Sequence, residues 1–193
     1  MPLPVRCVVA TALAPVLLVA CSDQGESGAQ ASNAQVVPSG VAQEYATMAE
    51  EIENEGGEET RDGWRVGYIV EAAEPWFESQ HGSQHFRAPK SGETHHIEIL
   101  PFEESTGRLV PDTPVRLEIV DADGHVVQDR GLQFLYGEFF HYATNFSIPE
   151  PGTYTLRATI GVPTFSRHGE EGDTPAMSQG TTVTFEGVEL EPA

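Results

Sequence analysis

The stretch 93–100, ETHHIEIL, sets two histidines and two carboxylates into a segment that otherwise patterns as a buried strand. Side chains alternate between faces along a strand, so His96 and Glu98 share one face while Ile97 and Ile99 fill the other. Their Cβ atoms then lie about 6–7 Å apart, close enough for both side chains to lean onto one ion. An imidazole and a carboxylate at that spacing suggest metal binding, and further ligands must come from elsewhere in the chain.

The chain has seven histidines: His81, His85, His95, His96, His125, His141 and His168. Most have a plain reading when taken singly. His95 falls on the isoleucine face and reads as a hydrogen-bonded core or edge imidazole. His125 follows the DADG turn and reads as solvated. His141, in GEFFHYATNF, sits among aromatics as a half-buried histidine would. His168, in FSRHGEEGD, belongs to a loop, and His81 and His85 flank the glycine-containing HGSQH.

Composition removes several alternatives. Thirty Asp and Glu stand against ten Lys and Arg in 193 residues, and Lys90 is the only lysine. Phosphate backbones need a basic footprint, so nucleic acid is not an expected partner. Nine acids and no base occupy residues 22–60, before the strand-rich part of the chain. The two cysteines are Cys7 and Cys21, so neither a disulfide framework nor a thiolate-ligated metal site is expected in the folded domain. There is no Ser/His/Asp spacing, glycine-rich phosphate loop or HExxH helix, so no enzymatic activity is expected.

The first twenty residues have an Arg6-containing start and an apolar run too short for a permanent membrane span. They end in Leu18-Val19-Ala20-Cys21, which resembles the lipobox of a bacterial lipoprotein signal. That resemblance implies lipidation of Cys21, which becomes the first mature residue. Ser22 stands where inner-membrane retention signals have Asp, which leans towards the outer membrane. Residues 1–20 are accordingly expected to be a signal peptide and 21–60 a flexible acidic tether with a short helix. Residues 61–193 are expected to be the folded domain. Residues 22–38 are rich in Gly, Ser, Ala and Gln, as linkers are. In the helix, Ser39 is the expected cap, Val41, Tyr45, Met48 and Ile52 recur at helical spacing, and Asn54 with Gly56-Gly57 ends it.

From Trp64 the period becomes two. WRVGYIV puts Trp64, Val66, Tyr68 and Val70 on one side; VRLEIV does the same with Val115, Leu117 and Ile119. DADG reads as a hairpin turn into HVVQ; LQFLY and FFHYATNFSI follow, then TYTLRATI with Tyr154, Leu156, Ala158 and Ile160 inward, and TTVTFEGVEL last. Seven or eight short strands with regular turns predict an all-β, immunoglobulin-like antiparallel sandwich. PGTYTL resembles the tyrosine-corner region of such domains.

The segments GYIVEAAE, HIE, HYATNF, PGTYTL and FSRH occur in that order, and with them the chain from Trp64 onward resembles the periplasmic iron-transport binding proteins. These are small immunoglobulin-like metal binders associated with high-affinity iron permeases. The resemblance implies that His96, Glu98, His141 and His168 are the metal ligands, converging on one ion, often at a dimer interface. Three imidazoles and one carboxylate form a borderline set suited to Fe(II), Zn(II), Mn(II) or Cu(II).

Two departures from that family qualify the set. Its usual methionine ligand, about seven residues before the His-Tyr pair, is absent from Gln133-Phe134-Leu135-Tyr136. Without a thioether the set is harder, which favours iron, with copper, manganese or zinc as alternatives. The loop that is methionine-rich in many relatives is here WFESQHGSQHF, in which Glu78, His81 and His85 form a candidate second site.

The expected function is capture of a divalent metal, most readily iron, at the periplasmic face of a membrane. The expected partners are an inner-membrane iron permease, the membrane through the lipid anchor, and a second copy in a homodimer. The competing reading is a metal-free immunoglobulin-like envelope or adhesion module that uses Trp76, Phe77, Phe139 and Phe140 as exposed contacts. A metalloenzyme handling superoxide or copper is a third.

Overall fold

The computed structural model describes residues 37–148 and 150–191. The expected signal peptide, the expected lipidation at Cys21 and the first part of the tether lie outside the described residues. Among the described residues one helix, α1 (Ser39–Glu55), precedes eleven strands. They are β1 (Gly56–Arg61), β2 (Trp64–Ala72), β3 (Trp76–Gln80), β4 (Ser83–Arg87), β5 (His95–Glu103), β6 (Val115–Val120), β7 (Val126–Gly131), β8 (Gln133–Tyr136), β9 (Phe140–Phe146), β10 (Gly152–Ile160) and β11 (Thr181–Leu190).

The strands form two antiparallel sheets, ordered β1-β2-β5-β9-β8 and β11-β10-β6-β7, with β3-β4 as a separate hairpin. This is the immunoglobulin-like sandwich that the period-two pattern predicts. Between the sheets lies an apolar core that includes Trp64, Val66, Ile97, Ile99, Leu117, Ile119, Tyr142, Phe146, Leu156 and Ala158. The alternation expected for WRVGYIV, VRLEIV and TYTLRATI holds; Tyr68, Val70 and Tyr154 are the partly buried members at the margin. The Tyr154 hydroxyl donates to the Glu150 carbonyl at 2.9 Å, the backbone tie of a tyrosine corner.

A second apolar cluster covers the opposite face of the five-stranded sheet. Met48 and Ile52 of α1 pack with Ile69, Leu100, Phe102 and Phe139. The helix approaches so closely that a Cβ on Gly67 would come within 2.6 Å of Ile52 Cδ1. Glycine at 67 thus makes room for the helix.

The packed unit therefore begins at Val37, earlier than the boundary at 61 expected from composition. Residues 56–61 are a strand paired with β2 along its length, Gly56 opposite Ile69 and Arg61 opposite Trp64. The helix runs one residue past Asn54. Ser39 is its first residue rather than its cap; Pro38 holds the cap position and no side chain bonds there.

The hairpin carrying Glu78, His81 and His85 closes through a two-residue turn, His81-Gly82, with φ of 50° and 82°. Two successive positive φ values match the right-handed twist of the flanking strands, and the second falls on glycine.

Candidate metal centre

His96 and Glu98 stand two residues apart on β5, facing away from the inter-sheet core. In the register, His96 lies opposite Asn145 and Glu98 opposite Ala143, both on β9. His141 shares the outer face of β9 with Ala143 and Asn145. The ligand atoms of His96, Glu98 and His141 all lie within 4.8 Å of one another, the one such trio of His, Cys, Asp or Glu among the described residues. All three are buried.

Each imidazole is held by its Nδ1. His96 Nδ1 donates to Asn145 Oδ1 at 2.8 Å, and His141 Nδ1 donates to the Phe139 carbonyl at 3.3 Å. The orientation of Asn145 is itself set by the backbone: Oδ1 accepts from Glu74 N at 3.2 Å and Nδ2 donates to Glu74 O at 2.8 Å. With the protons on Nδ1, both Nε2 lone pairs are free, and both point at Glu98 Oε1, from 3.9 Å for His96 and 3.5 Å for His141. Glu98 Oε2 has no hydrogen-bond partner.

These contacts are not ion pairs. Burial, and then the nearby Glu71, Glu51 and Glu74, push the Glu98 carboxyl up to about 8. Burial and the neighbouring His96 push His141 down to about 4; burial also lowers His96. The three side chains are thus neutral near pH 7, in a pocket short of positive charge. A divalent cation would supply that charge, and His96, His141 and Glu98 are the residues that would hold it. Two nitrogens and a carboxylate fit a borderline or moderately hard divalent ion and leave coordination positions open.

A cleft of about 710 Å³ leads to the trio, bounded by the β3–β4 hairpin and β8. Trp76 is buried beside His96, with ring centroids 6.0 Å apart, and the Arg87 guanidinium lies 3.9 Å over its indole. Arg87 also pairs with Glu93, whose Oε2 accepts from Asn145 Nδ2 at 3.3 Å. The hairpin is thereby tied to His96. Leu135, directly opposite His141 in the register, lines the cleft within the Gln133–Tyr136 stretch that has no methionine.

The remaining expected residues fall elsewhere. His168 is exposed in the segment between β10 and β11 and is not part of the trio within one chain. Its neighbour Arg167 donates to the carbonyls of Pro163, Phe165 and Met177. Glu78 and His85 are cross-strand neighbours, while His81 sits in the turn, and no metal-sized group forms from them. Glu78 instead accepts from Gln80 and lies 3.7 Å from Arg87. His95 matches its structural reading: its ring bonds Thr94 Oγ1 at 2.8 Å and the Glu191 carbonyl at 2.6 Å. Of the aromatics expected to be exposed, Trp76 and Phe139 are buried, whereas Phe77 and Phe140 are exposed.

Sequence reasoning missed Asn145, Trp76 and Glu71 as members of the site. Alternation along HYATNF puts Asn145 on the same face as His141, which was signal enough to find it. Glu71 lies opposite His96 on β2, and burial with the charge of Glu74 raises it to about 7.

No family model and no curated protein matches this chain. Solved structures do. FetP of uropathogenic Escherichia coli strain F11, expressed recombinantly in the E. coli periplasm, superposes with a TM-score of 0.55 at 17% identity; the match covers 71% of this chain and 96% of that one. A copper-bound variant of the same protein gives 0.56 at 14%, covering 72% and 91%. Copper-reconstituted P19 of Campylobacter jejuni gives 0.53 at 18%, covering 70% and 96%. At these identities the likeness is one of fold.

Proposed function

We propose that this chain is an extracytoplasmic binding protein that captures a divalent metal ion and passes it on. The observation that carries the reading is the trio His96, Glu98 and His141, with both Nε2 atoms free and a buried carboxylate oxygen unpartnered. Such an arrangement is costly to bury unless an ion fills it. The fold neighbours FetP and P19 support the reading, since copper-bound forms of both are known and the former was made in a periplasm.

Iron is the proposed cargo. Any N/O site of this kind binds Cu(II) most tightly among the first-row divalent ions, so copper uptake in a test tube does not identify the metal carried in a cell. With Leu135 in the cleft and no thioether, the soft ligand that would favour Cu(I) is absent. Delivery to an inner-membrane permease, attachment through a lipidated Cys21 and residence at a membrane's periplasmic face belong to the same proposal. The lipobox-like Leu18-Val19-Ala20-Cys21 supports the anchor and the placement.

His168 enters the proposal as a ligand from a second copy. Exposed aromatics lie on the other face of β8 and β9, beside Tyr142: Phe134 lies 5.2 Å from Phe140 and Tyr136 4.7 Å from it. Apolar patches of this kind suit a partner surface. The competing metal-free adhesion reading would use the same patch together with Phe77 and Phe86.

The deciding experiment is anaerobic calorimetric titration of the purified protein with Fe(II), Mn(II), Zn(II) and Cu(II), beside His96→Ala, His141→Ala and His168→Ala. Sedimentation runs alongside, with and without metal. Metal uptake that vanishes with the first two variants supports capture. Uptake that is weakened in the third, with dimers in solution, supports completion by a second copy. A wild type that binds no metal leaves the adhesion reading.

A further inference from the structure

A second cleft adjoins the one that leads to the trio. It measures about 430 Å³ and is bounded by the β3–β4 hairpin, the connection from β4 to β5 and the edge strand β7. Trp76, Glu78 and Gln133 line both clefts, so the two are neighbours. Its cations stand out in so acidic a chain. Lys90, the only lysine, lines it together with Arg87 and Arg130, and Arg116 is held to its wall by an ion pair with Asp129. Four of the ten basic residues thus meet in one place, against a net charge of -20.

The carboxylates of the lining are already engaged. Glu93 pairs with Arg87 and accepts from Lys90 N and Asn145 Nδ2. Glu78 accepts from Gln80 and lies 3.7 Å from Arg87 Nε, and Asp129 pairs with Arg116. Two of the cations are not engaged in this way. Among the described residues neither Lys90 nor Arg130 forms an ion pair; Arg130 Nε donates to Gln128 Oε1 at 3.3 Å.

An independent feature points to a ligand. Trp76 is 9% exposed, and its indole Nε1 has no hydrogen-bond partner. Nη1 of Arg87, whose guanidinium lies over that indole, has none either. Two unmatched donors in one buried stack cost stability unless an acceptor reaches them. Trp64 shows the ordinary state, its Nε1 donating to the Gln179 carbonyl at 3.1 Å. Both unmatched nitrogens lie beneath the accessible surface. The hairpin that carries them pairs with neither main sheet, so a small shift of it would uncover them without breaking a ladder.

We infer that the cleft between the β3–β4 hairpin and β7 is a site for a small carboxylate anion, held by Lys90 and Arg130 and by the unmatched N–H groups of Trp76 and Arg87. Ammonium, guanidinium and indole offer donors only, and a guanidinium fork matches the paired oxygens of a carboxylate. A free carboxylate and one already bound to a metal ion present the same group. In the second case the shared wall at Trp76 would set the ion beside the trio. The anion site itself does not depend on the trio being a metal site.

The first arm of the test titrates metal-free, full-length protein with citrate at low salt, following isotope-labelled indole nitrogens by magnetic resonance. Saturable binding is expected, with the Trp76 Nε1–H signal moving downfield while that of Trp64, already bonded, stays; Trp76→Phe assigns the two. Lys90→Gln with Arg130→Gln should weaken binding by about tenfold or more, as loss of hydrogen bonds from charged groups does. Both positions are exposed, so the fold should be retained, as circular dichroism would verify. Binding that does not saturate, an unmoved Trp76 signal, or a Gln pair that binds like wild type overturns the inference. His96→Ala with His141→Ala should still bind citrate, so failure of the metal reading does not touch this arm. The second arm adds Mn(II), with and without citrate, to wild type and to the Gln pair. Mn(II) uptake that citrate enhances in wild type alone identifies a metal-bound carboxylate as the occupant, and citrate binding indifferent to Mn(II) identifies the free anion. Either result upholds the anion site.

Discussion

The two faces of β5 have the same backbone and opposite purposes. Ile97 and Ile99 point between the sheets into the apolar core. His96 and Glu98 point outward beneath a roof, where His96 lines a cleft and Glu98 Oε2 goes without a partner. The inner face stabilises the sandwich by burial; the outer face gives up stability by burying polar groups that lack full hydrogen bonding. A strand exposed on its outer side could not do this, because solvated imidazoles and carboxylates keep their ordinary protonation. Here α1 and the β3–β4 hairpin cover that side, and the cover makes Glu98 and His141 neutral.

Four measurements press on this contrast. Truncation on the inner face should have the largest effect on folding: Ile99→Ala is expected to cost about 2–5 kcal/mol in urea unfolding, with metal stoichiometry unchanged at low denaturant. On the outer face Asn145→Leu should do the reverse, lowering metal affinity about 10–100-fold by releasing the His96 ring while changing little of the core. Comparable losses of stability from both would erase the distinction.

The third measurement is pH dependence without metal. Glu98 is raised to about 8 and Glu71 to about 7, so between their ordinary values and these the folded chain binds more protons than the unfolded one. Stability therefore falls as pH rises through that window. His141, lowered to about 4, acts oppositely, adding stability as pH rises from about 4 to its unfolded value of 6.5, and nothing above that. Between pH 6.5 and 8 the carboxyls act alone. The melting temperature of the metal-free protein should fall across that interval, and Glu98→Gln should flatten the slope. Metal binding should release a proton from Glu98 over the same interval, visible as a buffer-dependent heat of titration. Release of metal through imidazole protonation near pH 6–7, natural for exposed histidines, is not expected of His141.

The smallest expected change is one of selectivity. Leu135→Met puts a thioether opposite His141 and should shift competition between Cu(I) and Mn(II) towards copper, with the melting temperature nearly unchanged. An unaltered metal preference would mean that the side chain at 135 does not reach the ion.

Much of this was legible in the chain itself. Alternation in WRVGYIV, VRLEIV and TYTLRATI identified the inward faces because a half-buried strand has only one apolar side to show. The pairing of His96 with Glu98 followed from the same period. The roof over them was harder to see, because the acidic segment 44–59 looks like a tether until something apolar receives Met48 and Ile52. The clue lay on β5: Leu100 and Phe102 share the face of His96, and a strand apolar on both sides must be covered on both. His168 shows the limit, since spacing along one chain does not say whether two residues meet within it or across a pair.

Gly67 bears on all of this from a distance. A hydrogen atom in place of a methyl group lets Ile52 settle onto β2, and that seating keeps solvent from the ground beside Glu98. Replacing it by valine would pry up the lid at its hinge, rewet the carboxylate and return its acidity to that of any surface glutamate. The proposed ion site would then be disarmed without any of its side chains having been touched.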